Sequence, residues 1–352
     1  MPARAATRLR ERRGFANVPR EVQGGQDVAN SIETTKLGRT DITVSRVCWG
    51  TGPIGHMPEV YGHGSSEDLA YATVNAIFDG PGNFLDTSRN YGAGRSEERI
   101  GHVIKARGGI PEGFVVATKL DRDPDTNSFD ADAMRRSLEK SLKALNLDRV
   151  GLLHIHDPEY AANLDEVTRT GGGIETLYAM KEEGFCDAVG LAAGRVDIMM
   201  PILERFDFDA MITHNRFTLV NRNADAMIDF AVGKGIAVIN AAPFAGGVFA
   251  RGSDANPRYV YQEASGEMLR PVRAVEAICA RHGVPPGAVA LQFSMRDNRI
   301  TSTICGVGRP EEITGVAEWA NWPVPAAVWD DIAALPVSRD DPEATRNYVA
   351  PS

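Results

Sequence analysis

From Lys36 onward, short apolar and β-branched runs alternate with amphipathic stretches of about three helical turns. The runs are VSRVCWGT (44–51), NFLDTS (83–88), FVVATK (114–119), VGLLHIH (150–156), DAVGLAA (187–193), AMITHNRF (210–217), IAVINAAP (236–243) and TSTICG (301–306). Between them lie segments such as DADAMRRSLEKSLKALN (130–146), where Met134, Leu138, Leu142 and Leu145 share one helical face. TLYAMKEEG and AMIDFAVGKG end in Gly184 and Gly235, where a helix prefers glycine after its last turn. Strand–helix alternation with short connections implies parallel strands. Eight such units in about 300 residues predict an α/β fold of the (β/α)8 TIM-barrel type. No composition shift divides the chain, so the expectation is one barrel domain over 35–335, a tail over 336–352 and an N-terminal extension over 1–34.

Composition narrows the partners. The net charge of -9 and pI near 5.4 argue against nucleic acid or an anionic membrane, both of which reward a basic surface. No apolar stretch reaches the ~20 residues that a membrane span needs. Cys48, Cys186, Cys279 and Cys305 show no C-x-x-C spacing and read as reduced, buried thiols of a cytoplasmic protein, with no metal site. The Arg-rich opening segment lacks the apolar core of a secretory signal, and with Glu11, Glu21 and no Ser it is a poor transit peptide. It is expected to be disordered.

In such a barrel the chemistry sits at the C-terminal ends of the strands, so polar strand-end residues carry the information. Side-chain parity puts Asp86 on the face of Phe84, Lys119 on that of Val115 and Ala117, and His156 on that of Leu152 and His154. If those faces point inward, the three converge at the mouth of the second to fourth strands, with Tyr91 overhanging from the next loop. Each alone has an ordinary structural explanation: a helix cap, a solvated lysine, a satisfied imidazole. Together they form an acid/base set. A free phenol is a poor proton carrier near neutrality, and an adjacent ammonium is expected to lower its pKa. Asp86 would hold Lys119, and His156 would bond the oxygen of a carbonyl or alcohol, which suits hydride transfer with a nicotinamide. Gly92-Ala-Gly94 is no dinucleotide fingerprint, because Glu97 stands where a third glycine is needed and would repel a pyrophosphate. Glu97 and Glu98 instead read as favourable acids in the first turn of a helix.

With these residues in place, the chain resembles the aldo-keto reductase family over about residues 36–335. LGRTDITVSRVCWGTGPIG resembles its opening strand and substrate loop, FLDTSRNYGAGRSEERIG its aspartate–tyrosine signature, VVATK its lysine strand and HIHDPE its histidine. RRSLEKSLKALNLDRVGLLHIHDPE, NRFTLVNR and APFAGGVFARG are similar to the branch of aldose 1-dehydrogenases and pyridoxal 4-dehydrogenases. The resemblance implies Asp86, Tyr91, Lys119 and His156 as the catalytic tetrad. It implies an NAD(P)-dependent oxidoreductase of a small polar substrate, foremost an aldose of the L-fucose or D-threo type oxidised at C1 to its lactone. Pyridoxal oxidation or general aldehyde reduction stands as the alternative. A non-enzymatic rival is a cofactor-binding regulatory subunit, since the fold is also that of the potassium-channel β-subunits. No oligomeric state is legible.

The resemblance also assigns cofactor contacts to Thr51 and Gly52, to Phe217 as the nicotinamide-stacking aromatic, and to Pro243, Phe244, Gly246 and Gly247 in a loop over the pyrophosphate. GLAAG replaces the family's Ser-Asn pair after the fifth strand, so Ala192 and Ala193 offer no side-chain bond to a carboxamide, and His214 or Asn215 is expected to serve. After the eighth strand Gly306 takes the position of a phosphate-binding lysine, Val307 of a serine and Glu312 of an arginine, with Arg309 nearby. A carboxylate there opposes a 2′-phosphate, which favours NAD+ over NADP+. Trp49, His56, Met57 and Tyr61, with Tyr91 and His156, are the expected substrate contacts.

Overall fold

A computed structural model describes residues 31–344; the extension up to residue 30 and the tail from residue 345 lie outside the described residues. Eight strands close into a barrel in sequence order: β1 Val47–Gly50, β2 Phe84–Asp86, β3 Val115–Leu120, β4 Val150–His156, β5 Cys186–Ala193, β6 Ala210–His214, β7 Ala237–Ala241 and β8 Ile300–Gly306, with β8 pairing back to β1. Every neighbouring pair is parallel. This is the (β/α)8 barrel the alternation predicts. No helix of the described residues is long and apolar enough to cross a membrane, and all four cysteines are free and buried.

The pleat divides the strand side chains into two cores. Cys48, Phe84, Ala117, Leu152, Ala188, Ala210, Ala237, Ile239 and Ile304 fill the interior. Trp49, Leu85, Val116, Leu153 and Val189 face out to the helical layer. The interior residues are mostly small, as a barrel of this width requires. Leu37 and Val44 join the interior cluster from an antiparallel hairpin, Thr34–Lys36 with Thr43–Ser45, at the N-terminal end of the strands. The apolar run 44–51 is thus two strands and not one.

The helices show why their segments fold. Helix α1, Ala131–Leu145, starts at Asp130, whose carboxylate accepts the Ala133 N–H at 2.7 Å, and stops at Asn146 in the left-handed region. It buries Met134, Leu138 and Leu145. An Asp or Asn at each end satisfies backbone groups that a helix otherwise leaves bare.

Two departures bear on the site. The run 210–217 leaves the sheet at His214, because Asn215 adopts φ 60°. Residues 336–344 are held to the barrel: Arg222 N and Ser338 N bond Ser338 O and Val220 O at 2.8 and 3.0 Å, and Arg216 meets Asp341 and Glu343 at 2.6 and 2.7 Å.

Candidate active site

Asp86, Lys119 and His156 lie at or near the C-terminal ends of β2, β3 and β4 and share one cleft with Tyr91. The loop that carries Tyr91 is pinned from beneath. Thr51 donates from its N–H and its hydroxyl to Asp86 O at 3.0 and 2.9 Å, and Ser96 Oγ donates to Thr51 O at 3.0 Å. At Gly92, φ is 65° and a Cβ would stand 1.8 Å from Gly55 O, so no other residue lets this loop lie against its neighbour.

Lys119 is only 2% exposed. Its ammonium donates to Asp86 Oδ1 at 2.6 Å and to Thr87 O at 2.7 Å, and lies 3.3 Å from the Tyr91 hydroxyl. A buried charge needs this many partners. The phenol does not respond as the sequence suggests. Burial, followed by the charges of Asp86, Asp157 and Asp121 and the nearby Tyr261, pushes Tyr91 well above its ordinary pKa. The expected lowering by the ammonium is therefore corrected: Asp86 already neutralises Lys119, and Tyr91 rests as a neutral phenol.

His156 stands edge-on to Tyr91, with ring centroids 6.1 Å apart at 87°. Its Nδ1 lies 2.5 Å from Asp121 Oδ1. The other oxygen of Asp121 accepts from Ser88 Oγ at 2.7 Å and from Asn90 N at 2.9 Å. Against burial, His156, Ser88 and Asn90 hold the Asp121 carboxyl below its ordinary value. Burial also opposes a charge on His156, but Asp157 and Asp121 outweigh it and raise the ring's pKa. One layer deeper, burial keeps His154 neutral. Asp121 is the functional candidate the sequence reading missed. Two residues beyond Lys119, it shares that lysine's inward face, and the same parity argument reaches it.

The cleft has a volume of about 390 Å³, within the usual size for a small-molecule site. Its small apolar lining comes from Gly50, Ala192, Ala193, Ala241 and Gly306. The rim is polar, from Glu59, Tyr61, Asp157, Tyr160, Tyr261 and Gln262. Of the residues expected from sequence, Gly52, Met57, Tyr61, His214 and Gly306 line it beside the tetrad.

Others lie elsewhere. Trp49 is fully buried in the outer core, since on β1 it is Gly50 that faces inward. His56 turns to the backbone of Ser65, its Nδ1 2.9 Å from Ser65 O. Phe217 packs on Phe293 at 5.1 Å and beneath Arg222 and Arg299, because the left-handed turn at Asn215 carries it out of the barrel mouth. Ala241 and Ala242 stand at the cleft instead. Asn215 is buried, its Oδ1 unpartnered and its Nδ2 3.5 Å from His214 Nδ1. Pro243, Phe244, Gly246 and Gly247 form the turn after β7, outside the cleft lining. A Cβ on Gly246 would come within 2.5 Å of Tyr261 N, so this turn supports the rim. Thr51 lies beneath the floor. Arg309 and Glu312 begin helix α2, Pro310–Ala320, and Glu312 Oε2 accepts the Gly308 N–H at 2.7 Å.

Glu97 and Glu98 stand in the first turn of the helix Arg95–Arg107, as expected, but Glu97 is turned into the protein. It is fully buried; Oε1 accepts from Thr118 Oγ1 at 2.6 Å, while Oε2 makes no hydrogen bond and lies 3.8 Å from the Arg89 guanidinium. Burial pushes its pKa up from 4.5 to about 7. The folded state thus binds a proton that the unfolded state has released, and this stabilisation, present below about pH 4.5, is lost as pH rises through about 7. At about 1.4 kcal/mol per pH unit the loss is about 3 kcal/mol. Glu97→Gln should remove that slope: urea unfolding of the variant and the parent should converge at pH 4, with the variant the more stable at pH 8. Equal pH dependence of the two would contradict a neutral Glu97.

The profile of the aldo/keto reductase family matches residues 46–336, and the chain belongs to that family. It is an oxidoreductase acting on a CH–OH or carbonyl group. L-galactose dehydrogenase of Arabidopsis thaliana is 31% identical over 285 residues, 80% of this chain and 86% of that protein. D-threo-aldose 1-dehydrogenase of Pseudomonas sp is 28% identical over 294 residues, 76% and 88% of the two chains. Pyridoxal 4-dehydrogenase of Microbacterium luteolum is 26% identical over 334 residues, 84% and 95%. Among solved structures, the holo form of aldo-keto reductase AKR11C1 from Bacillus halodurans superposes with a TM-score of 0.72 at 17% identity, covering 90% of this chain and 100% of that one, a likeness of fold.

Enzymes of this family use NAD(P)(H). The cleft fits a nicotinamide: the small residues Gly50, Ala192, Ala193, Ala241 and Gly306 leave room in the lining that Tyr91 and Lys119 share, and a Cβ on Gly306 would stand 3.4 Å from Pro53.

Proposed function

We propose that the protein is an NAD-preferring dehydrogenase that oxidises a neutral aldose at C1 to the lactone, with Tyr91 as the general acid/base. One observation carries the reading. The Tyr91 hydroxyl, 3.3 Å from Lys119 and facing His156, sits in a cleft rimmed by three tyrosines, Glu59, Asp157 and Gln262. Such a rim offers many hydrogen bonds to a hydroxylated ring. Among the described residues the cleft presents Lys119 as its one ammonium and no guanidinium, and Asp86 occupies that ammonium, so an anionic sugar has little to attract it.

In this reading the bound nicotinamide supplies the hydride acceptor. His156 and Tyr91 hold the C1 oxygen between them, and Tyr91, as the phenolate that Lys119 steadies, takes its proton and becomes the neutral phenol as hydride leaves C1. Because Tyr91 rests as a neutral phenol, its base form is scarce near neutrality and oxidation should quicken as pH rises. His214, on the cleft wall with Nδ1 3.2 Å from Glu343, is the side chain placed to meet the carboxamide that Ala192 and Ala193 cannot bond. The preference for NAD+ rests on Glu312. Its carboxylate already takes the Gly308 N–H, a donor at a helix N-terminus that a phosphate would otherwise use, and it would repel a 2′-phosphate.

A screen of L-galactose, L-fucose, D-threo-aldoses, pyridoxal and short aldehydes with NAD+, NADP+ and their reduced forms tests the proposal. The expected result is NADH formation from an aldose, with kcat/KM for NAD+ at least several-fold above that for NADP+. Preference for pyridoxal would move the assignment to the branch's other chemistry, and a tenfold preference for NADP+ would defeat the role given to Glu312. No turnover of any kind would favour a regulatory subunit.

A further inference from the structure

We propose that Asp121 is a positioning residue of the reaction: it fixes the His156 ring with Nδ1 turned inward and Nε2 turned to the cleft, and keeps that ring able to donate a hydrogen bond to the substrate oxygen. This deepens the proposed function and rests on its placement of His156 at that oxygen.

The geometry is complete on every side of the carboxylate. Asp121 Oδ1 faces His156 Nδ1 at 2.5 Å, and Oδ2 takes Ser88 Oγ and Asn90 N at 2.7 and 2.9 Å. Ser88 Oγ also lies 3.2 Å from Nδ1. The Asp121 N–H itself donates to Ser137 Oγ at 3.0 Å, so residue and side chain are both fixed. A carboxylate that accepts two outside donors stays ionised and presents its remaining lone pairs to the imidazole. Nδ1 therefore carries a proton, and the tautomer is set from behind the ring.

On the cleft side Nε2 lies 3.6 Å from Asp157 Oδ2, too far for a direct hydrogen bond. Nε2 is therefore left to a substrate oxygen in the cleft. The other charged or titratable groups around the ring are Tyr91, Lys119, Asp86 and, one layer deeper, His154. Lys119 disfavours a charged ring, but its ammonium is matched by Asp86. Asp121 and Asp157 favour it. The balance favours the charged form of the ring, in which Nε2–H is a charge-assisted donor, stronger than that of a neutral imidazole. In carbonyl reduction the ring polarises the C=O bond as hydride arrives at carbon and the Tyr91 proton passes to oxygen. In oxidation it stabilises the oxygen as the O–H bond breaks.

Asp121→Asn tests this, because it keeps shape while removing charge. The His156 Cε1–H signal, assigned by its loss in His156→Gln, is titrated by NMR in the cofactor-free protein. In Asp121→Asn its midpoint should fall by at least one pH unit. The kcat of carbonyl reduction should drop roughly ten- to a hundredfold, and its alkaline limb should move acid-ward with the NMR midpoint. The dissociation constant of NADH should stay within twofold. Ser88→Ala, which takes one donor from the same carboxylate, should shift the midpoint in the opposite sense or hardly at all, and separates loss of charge from loss of packing. An unchanged midpoint in Asp121→Asn overturns the proposal, as does a moved midpoint with an unmoved pH–rate profile. Full activity in His156→Gln would overturn the placement of His156 at the substrate oxygen, and this proposal with it.

Discussion

Tyr91→Phe should lower turnover by about three orders of magnitude, within the range for removing a positioned acid/base. The substitution deletes one oxygen and little else. The ring keeps its place over Lys119, whose ammonium is 4.8 Å from its centroid, and the ammonium keeps Asp86 and Thr87. Affinity for NADH should be nearly unchanged, so the loss should appear in kcat. The pH dependence sharpens the test. Burial and the neighbouring carboxylates raise the Tyr91 pKa, so in the parent the phenolate fraction, and with it the rate of alcohol oxidation, should climb tenfold per pH unit through the neutral range. The residual rate of the variant should lack that slope. A variant retaining a tenth of the parent activity, or keeping the slope, would remove Tyr91 as the proton carrier.

The barrel and the core of the site were legible because both follow from the strand period. Alternating apolar runs announce parallel strands, and parity then decides which strand-end side chains meet. Asp86, Lys119 and His156 come together for that reason, and Asp121 was within reach of the same argument. Trp49 was misplaced by reading a motif in place of a face: counted by parity from Cys48, it must point outward. Phe217 was lost to a backbone feature that no apolar pattern records, the left-handed turn at Asn215 that ends β6 two residues early. The protonation state of Tyr91 depends on its burial and on a sum over Asp86, Asp157 and Asp121, which end or directly follow three separate strands, and only the folded chain brings those charges together. The rim is illegible for a related reason. Tyr261 and Gln262 come from a short hairpin region, pairing Arg258–Tyr259 with Gln262–Glu263, and the Arg258 guanidinium joins it to residues about 200 positions earlier in sequence, donating to Glu59 O and Val60 O at 3.2 and 3.5 Å.

Lys119→Met should be both inactive and less stable, and the two effects can be separated. Among the described residues the ammonium is the one cation bonded to the Asp86 carboxylate, whose other oxygen has no hydrogen-bond partner there. Burial raises the Asp86 carboxyl even with Lys119 opposing it. Without that counter-charge Asp86 must either stay ionised in a buried site or take up a proton. Breaking a buried pair in this way costs about 3–5 kcal/mol. Adding Asp86→Asn removes the stranded charge, so the double variant should regain most of the stability in urea while remaining inactive. The sign of the pH effect also follows. Below the raised pKa of the lone Asp86 the carboxyl is neutral and Lys119→Met is least destabilised. Above it the carboxylate stands unpaired, stability falls, and its charge holds the Tyr91 phenol protonated to still higher pH. Any residual oxidation in the single variant should therefore shift alkaline relative to the parent, and in the double variant this shift should shrink. A single variant as stable as the parent at pH 8 would mean the pair contributes nothing to the fold. An unshifted rate profile would mean that Lys119 and Asp86 do not govern the proton on Tyr91.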